Sequence, residues 1–327
     1  MPAQATGEMA KDIGIGAALT TLMIVVTLQS PIFGFFFTIL TPLPTLYYRV
    51  KLGRALGAVV PAIALGILIA ITGQLTLDLL YFLALLGVGF VLGELFRFRL
   101  SLEKTVVSAC TAILFTCAVV LFIHASFSGM GVEQLITEYV RKNLEATVAL
   151  YEGMGMSAEN IQVIKDAMDH IQYVLIRMIP ALTICSTLFV TWTSLLLARP
   201  LLIRRGLPYP DFGPLNRWKA PEQLVWGVIG CGLMLMLPAT TIKLVGINGL
   251  LVLMTIYFFQ GIAIVSFFFE HKRLPKFFRF FLYSLIALQQ IFLLLVIGIG
   301  FFDIWLDFRK RLLPKTDSRP HDNDGEL

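Results

Sequence analysis

Apolar runs of about 20 residues recur along this chain, and a run of that length spans the ~30 Å hydrocarbon layer of a bilayer. They begin at Ile13 and end at Trp305. Only 14% of the residues are charged and 57% are hydrophobic, whereas soluble domains carry roughly 25% charged residues. No protein core absorbs that much apolar surface, so lipid is the solvent for most of the chain. The fold class that follows is all-α, a polytopic helical membrane bundle, with the lipid bilayer as its first partner. Met1 to Lys11 is polar and the first apolar run feeds straight into another, so no cleavable signal is evident.

Ile13 to Tyr48 is nearly unbroken apolar sequence. As one helix it would be roughly 54 Å long, too long for one crossing. The motif QSPIFG at Gln29 to Gly34 offers the break, giving crossings at 13–29 and 31–48. Further crossings are expected at 55–74, 76–96, 105–127, 174–198, 224–245, 247–270 and 279–305, about nine in all. The basic segments 49–54, 97–104, 198–219 and 271–279 fall on one face under this count, which makes that face cytoplasmic. The loop 128–173 falls outside and holds seven acidic and three basic residues. The basic segment DFRKRLLPK runs against the rule, because nine crossings put it outside.

That outer insertion reads as a helical hairpin. Val132, Leu135, Ile136, Tyr139, Val140 and Leu144 recur at helical spacing, YEGMGMS supplies a turn, and Ser157 is a candidate N-cap. Ile161, Ile164, Met168 and Ile171 stripe the second helix. The expected organisation is a bundle of 1–127 and 174–203, a hairpin insertion of 128–173, a loop of 204–223, a C-terminal transmembrane extension of 224–308 and a polar tail of 309–327. The end of that tail, beyond Lys315, has the composition of a disordered segment.

Several functions lack their residues. The chain has no GxxxxGK[ST], HExxH or GxSxG motif, and its four histidines are scattered. Nothing pairs a nucleophile with a base, so no enzyme, catalytic residue, cofactor or metal site is expected. The four cysteines lie inside apolar runs and form no CxxC pair, which fits small packing residues. The net charge of +5 concentrates in short loops beside the crossings and is no nucleic-acid footprint.

Small residues give a clearer pattern. Ala58, Ala62, Gly66 and Ala70 recur every four residues, as do Gly14 with Ala18 and Gly89 with Gly93. Such faces let membrane helices approach closely, either inside the bundle or against a partner. Ionisable residues in crossings are costly and often functional. Asp78, His124, Arg177, Lys243 and Asp303 stand on the inferred outer side as candidate substrate-binding residues. Glu94 has Arg97 three residues on as its expected partner, and Gln260, Gln289 and Gln290 lie within crossings. Pro180 and Pro238 would free backbone groups able to line a cavity. The loop LPYPDFGPLNRWKAPE, 207–222, holds four prolines that stop a helix. Tyr209, Phe212, Arg217, Trp218 and Pro221 make it a candidate interface, with rings and cations at the headgroup level.

Three segments carry a family resemblance. SPIFGFFFTILTPLPTLYYRVKLGRALGAVV, the loop ending in W-x-x-P, and GIGFFDIWLDFRKR together resemble the YybS-like integral membrane family, a bacterial family of unknown function. That family is distantly similar to the S components of energy-coupling-factor transporters, six-helix bundles that bind vitamins or metals from outside. The resemblance implies residence in the bacterial cytoplasmic membrane and a partner, a membrane coupling protein with ATPases, docked on a small-residue face such as Gly14 and Ala18. It also implies a small-molecule ligand, whose identity the sequence does not give. The additional C-terminal crossings and the outer hairpin depart from the pattern. The function expected from the sequence is a small-solute uptake component; the alternative is a non-transporting scaffold that recruits other proteins.

Overall fold

The computed structural model describes residues 2–73 and 77–312, which are helical with no strand. The helices are α1 (Pro2–Gln29), α2 (Pro31–Leu40), α3 (Pro42–Thr72), α4 (Leu77–Leu95), α5 (Leu102–Ser128) and α6 (Val132–Gly153). They continue with α7 (Ala158–Arg204), α8 (Leu224–Met236), α9 (Thr240–His271), α10 (Lys276–Leu288), α11 (Gln290–Leu306) and α12 (Phe308–Leu312). The chain divides into two compact units, Met1–Phe212 and Gly213–Leu327. The expected joint between two crossings at 74–76 and the tail beyond Leu312 lie outside the described residues.

In the first unit the breaks are set by proline and glycine. Ser30 is extended at φ −127° and ψ 101°, with Pro31 opening α2. Proline there lacks an N–H that would have no helical partner anyway. Gly53, at φ +85° and ψ −176°, interrupts α3. A Cβ on Gly57 would meet Arg49 Cα at 2.7 Å, so the two arms of α3 fold back on each other at this point. The second arm covers most of the crossing expected at 55–74, whereas the one expected at 31–48 is spread over α2 and the first arm. The helices then pack in sequence, α1 on α3, α3 on α4, α4 on α5 and α5 on α7.

The hairpin forms as the periodicity requires. Gly155 turns at φ +82°, and Ser157 caps α7 by accepting from the Asn160 N–H at 3.4 Å. Val140, Val148 and Ile161 bury its stripe. α7 is one helix of 47 residues that runs straight through the expected boundary at 173/174. At 1.5 Å per residue it is about 70 Å long, so one part can pair with α6 and the rest still cross a bilayer.

In the second unit α8 stops early. Leu237 is extended at ψ 146° ahead of Pro238, and α9 opens at Thr240. The expected break near 246 thus lies at 237–239, because proline disfavours helix in the residue before it. Pro238 ends a helix rather than opening a cavity within one. α9 packs between α8 and α11, and α10 meets α11 at 101° beside Gln289. Among the described residues, six helices are long and apolar enough to cross a membrane, seven if that bent pair is one crossing. The count of about nine is approximate: Gly34–Thr72, counted once here, takes in most of two of the expected crossings, and α8 has only 13 residues.

Candidate functional site

The five outer residues occupy two units. Asp78, in the first turn of α4, accepts a hydrogen bond from the Tyr139 hydroxyl of α6 at 2.6 Å. Burial, followed by the Asp78 carboxylate, pushes the Tyr139 hydroxyl well above its ordinary 10.0. Asp78 therefore ties the hairpin to the bundle. Arg177 lies over the ring of Tyr173, with Cζ 3.4 Å from the centroid, and donates to the Tyr173 carbonyl at 3.2 Å. His124 is half-buried on α5. In the second unit, Lys243 is exposed in the first turn of α9, whereas Asp303 is 1% exposed and bonded to Gln260. Gln260 follows Lys243 by 17 positions, about 25 Å along a helix. Lys243 and Asp303 do not form one site.

The small-residue rows separate sharply. A Cβ on Gly89 would run into the Pro42 carbonyl oxygen, and one on Gly93 would lie 2.5 Å from Arg49 Cγ. This face of α4 is filled by the backbone of α3. Ala62, Gly66 and Ala70 are exposed, Ala58 is half-buried, and a Cβ on Gly66 would meet nothing within 4 Å. Gly14 and Ala18 are exposed as well. The buried face of this arm is instead Gly57, Val60, Ala64 and Leu68.

At the end of the filled face stands a charge cluster. Arg49, 3% exposed, places Nη2 2.5 Å from Glu94 Oε1 and donates through Nε at 3.0 Å. Arg54 approaches the same carboxylate at 3.4 Å and Arg97 at 3.9 Å. Arg97 is thus a partner of Glu94, as its spacing suggests, but the closest cation is Arg49, 45 positions away. Nearby, Lys51 holds Asp12 at 2.7 Å.

The second unit has its own polar junction, built where two of the segments singled out above meet. The Ala220 N–H donates to Gln260 Oε1 at 3.1 Å, and Gln260 Nε2 donates to Asp303 Oδ2 at 3.2 Å. The Phe308 N–H caps the other Asp303 oxygen at 3.0 Å. Arg309 donates to the carbonyls of Arg217 and Trp218 at 2.8 and 2.9 Å. Burial pulls the Arg309 guanidinium below its ordinary value, while Asp303 and Asp307 act in the opposite sense. Lys219 pairs with Asp307 at 2.8 Å, and so is engaged within the protein. Pro221 is exposed. Of the candidate loop residues in the first unit, Tyr209 donates to the Leu195 carbonyl at 3.0 Å and packs edge-on against Phe212 and Phe96. Burial pushes the Tyr209 hydroxyl up to about 12.

Residues 18–304 match the family described as "Predicted membrane protein (DUF2232)". The chain belongs to that family. It is 24% identical over 273 residues to the uncharacterized protein YybS of Bacillus subtilis (strain 168), covering 80% of this chain and 85% of that protein. No solved structure matches. The stretch matched to the DUF2232 family contains Arg49, Glu94, Gln260 and Asp303 and ends before Asp307 and Arg309. Sequence reasoning about this family member missed Arg49 and Arg309. Each pairs with groups more than 40 positions away, and helical spacing reports only neighbours within a turn or so.

Proposed function

We propose that this multi-pass membrane protein is a non-transporting scaffold of the bacterial cytoplasmic membrane, with no chemistry of its own. Its partner is a protein whose transmembrane helix lies along the Ala58, Ala62, Gly66 and Ala70 row. The observation that carries this is the exposure of that row while the Gly89 row is filled from within. Close approach of backbones is what associates helices in lipid, since apolar side chains gain little by leaving hydrocarbon for one another. Arg54 extends the row by one further step of four, and its side chain is 76% exposed. Three guanidiniums share the one carboxylate of Glu94 there. The partner helix therefore carries small residues along one face and an acidic residue at the end that meets Arg54. Uptake of a small solute would ask Arg177 to face a cavity, and its guanidinium instead covers its own Tyr173.

A photo-crosslinker at Ala62, used in the native membrane, tests the proposal. Expected is a discrete adduct with a second membrane protein, lost in Gly66→Leu while the monomer keeps its thermal stability. Adducts with lipid alone, or a protein adduct indifferent to Gly66→Leu, would remove the partner face.

A further inference from the structure

Beside the corner between α9 and α10, the last turn of α9 and residues 214–217 line a cavity that neither the α3 row nor the Asp303 junction uses. Its volume is 450 Å³, and Pro214, Asn216, Arg217, Phe267, Glu270 and His271 line it. One wall is aromatic, with the His271 ring stacked on Phe267 at 6.2 Å and 8° between planes. The Asn216 amide donates to Glu270, which leaves its own Oδ1 buried without a partner. A buried acceptor in that state is costly and calls for a donor. The cavity thus presents an unfilled acceptor and a carboxylate beside the exposed guanidinium of Arg217. A ligand that satisfies all three has an ammonium next to an anion.

The surroundings say where such a ligand comes from. Lys272, Arg273 and Lys276 are exposed around the corner. Arg279 donates to the carbonyls of Phe269 and Leu274 at 3.0 and 2.9 Å and so holds the turn in place. α10 then exposes Phe277, Phe278, Phe280 and Phe281, each more than half exposed, and meets α11 at 101°. A short helix with basic residues and phenylalanines, turned across its neighbour, suits the headgroup layer of a bilayer. We infer that this cavity binds the headgroup of a phospholipid bearing a primary ammonium, of the phosphatidylethanolamine class. The phosphate sits on Arg217, the ammonium on Glu270 and Asn216 Oδ1, and the acyl chains run along the phenylalanines of α10.

Phosphatidylcholine is the discriminating probe, because its trimethylammonium keeps the charge but donates no N–H bond. Short-chain phosphatidylethanolamine, phosphatidylcholine and phosphatidylglycerol, with soluble phosphoethanolamine, are titrated into the full chain in detergent and read by native mass spectrometry. Phosphatidylethanolamine is expected to bind about tenfold more tightly than phosphatidylcholine, the scale of one charge-assisted hydrogen bond. Glu270→Gln should weaken phosphatidylethanolamine more than phosphatidylcholine, which loses only the charge attraction, and so narrow that preference. Arg217→Ala should weaken every phospholipid, with thermal stability retained because the fold uses the Arg217 carbonyl rather than its side chain. Equal binding of the two zwitterionic lipids overturns the proposal, as does a preference for phosphatidylethanolamine that Glu270→Gln leaves undiminished. Soluble phosphoethanolamine binding as tightly as the lipid would also overturn it, making the source a free phosphate ester.

Discussion

Two rows of small residues lie on neighbouring helices at the same spacing of four, and they meet opposite surroundings. On α4, Gly89 and Gly93 are pressed against the backbone and side chains of α3. On the second arm of α3, Ala62, Gly66 and Ala70 look outward into open space. The first row is part of the fold, and the second is surface. What separates them is the fold-back at Gly53. It brings Pro42 to Arg49 alongside α4, and it turns the Val60, Ala64 and Leu68 face of the second arm inward. Spacing alone therefore identifies a face that can be approached closely, and the neighbouring backbone decides whether anything occupies it.

The largest effect comes from filling the occupied row. Gly89→Leu puts a side chain where the Pro42 carbonyl already stands, and a backbone atom cannot move aside as a flexible side chain can. The expected cost is about 3 kcal/mol or more, at the top of the range for overpacking. The matched change Gly66→Leu should shift stability by less than about 0.5 kcal/mol, the scale of an ordinary surface substitution. Thermal melts of both variants in one detergent check the pair. Similar losses in the two would erase the distinction between the rows. In the second unit, Gly300 stands against the Tyr257 carbonyl as Gly89 does against Pro42, so Gly300→Leu belongs with the damaging change.

Next in size is the charge cluster that closes the filled row. Arg49 is buried, and its aliphatic stem forms part of the wall that meets Gly93. Arg49→Ala removes both that packing and the nearest cation of Glu94. Breaking a buried pair typically costs about 3–5 kcal/mol. Arg54 and Arg97 remain near the carboxylate, so about 2 kcal/mol is expected here. Glu94→Gln in the Arg49→Ala background should then cost little more, since the charge it removes has already lost its main partner. A full additive loss in that double variant would show that Arg49 acts through packing alone.

Much of this architecture is legible in the sequence. The break at Ser30, the hairpin turn and the Ser157 cap follow from proline, glycine and apolar stripes whose consequences are local. Which side of a crossing faces inward is not legible in the same way. On a surface helix of a soluble protein the polar residues mark the outside, but a helix in lipid is apolar all round and loses that contrast. That is why Ala58, Ala62, Gly66 and Ala70 stand out as a row without revealing that most of the row is exposed. The partners of the outer polar residues are hidden in the sequence for a related reason. Depth in a crossing can be counted along the chain, whereas rotation about the helix axis cannot, and Arg177 turns onto Tyr173 while Asp78 turns to Tyr139. The W-x-x-P loop and the DFRK segment were each visible, but their meeting through Gln260 and Arg309 depends on how α9 and α11 pack.

The smallest effect tests whether the second unit's outer ion pair resembles the buried one at Glu94. Asp307 accepts from Lys219 and Lys310, which hold its carboxyl at about 2, below its ordinary 3.8. A depressed carboxyl stabilises the fold at pH above its ordinary value, and that contribution is lost as pH falls from about 4 through about 2. Lys219 and Lys310 are 50% and 81% exposed, unlike Arg49 at 4%. Solvent screening therefore limits the contribution to about 0.5 kcal/mol. Asp307→Asn should lower stability slightly at neutral pH and flatten the acid limb of the profile between about pH 4 and 2. Added salt should shrink the difference between variant and wild type, because screening acts on exposed pairs. The same salt titration on Arg49→Ala should leave its loss nearly intact, and a loss that vanished in salt would make the Glu94 cluster a surface feature after all.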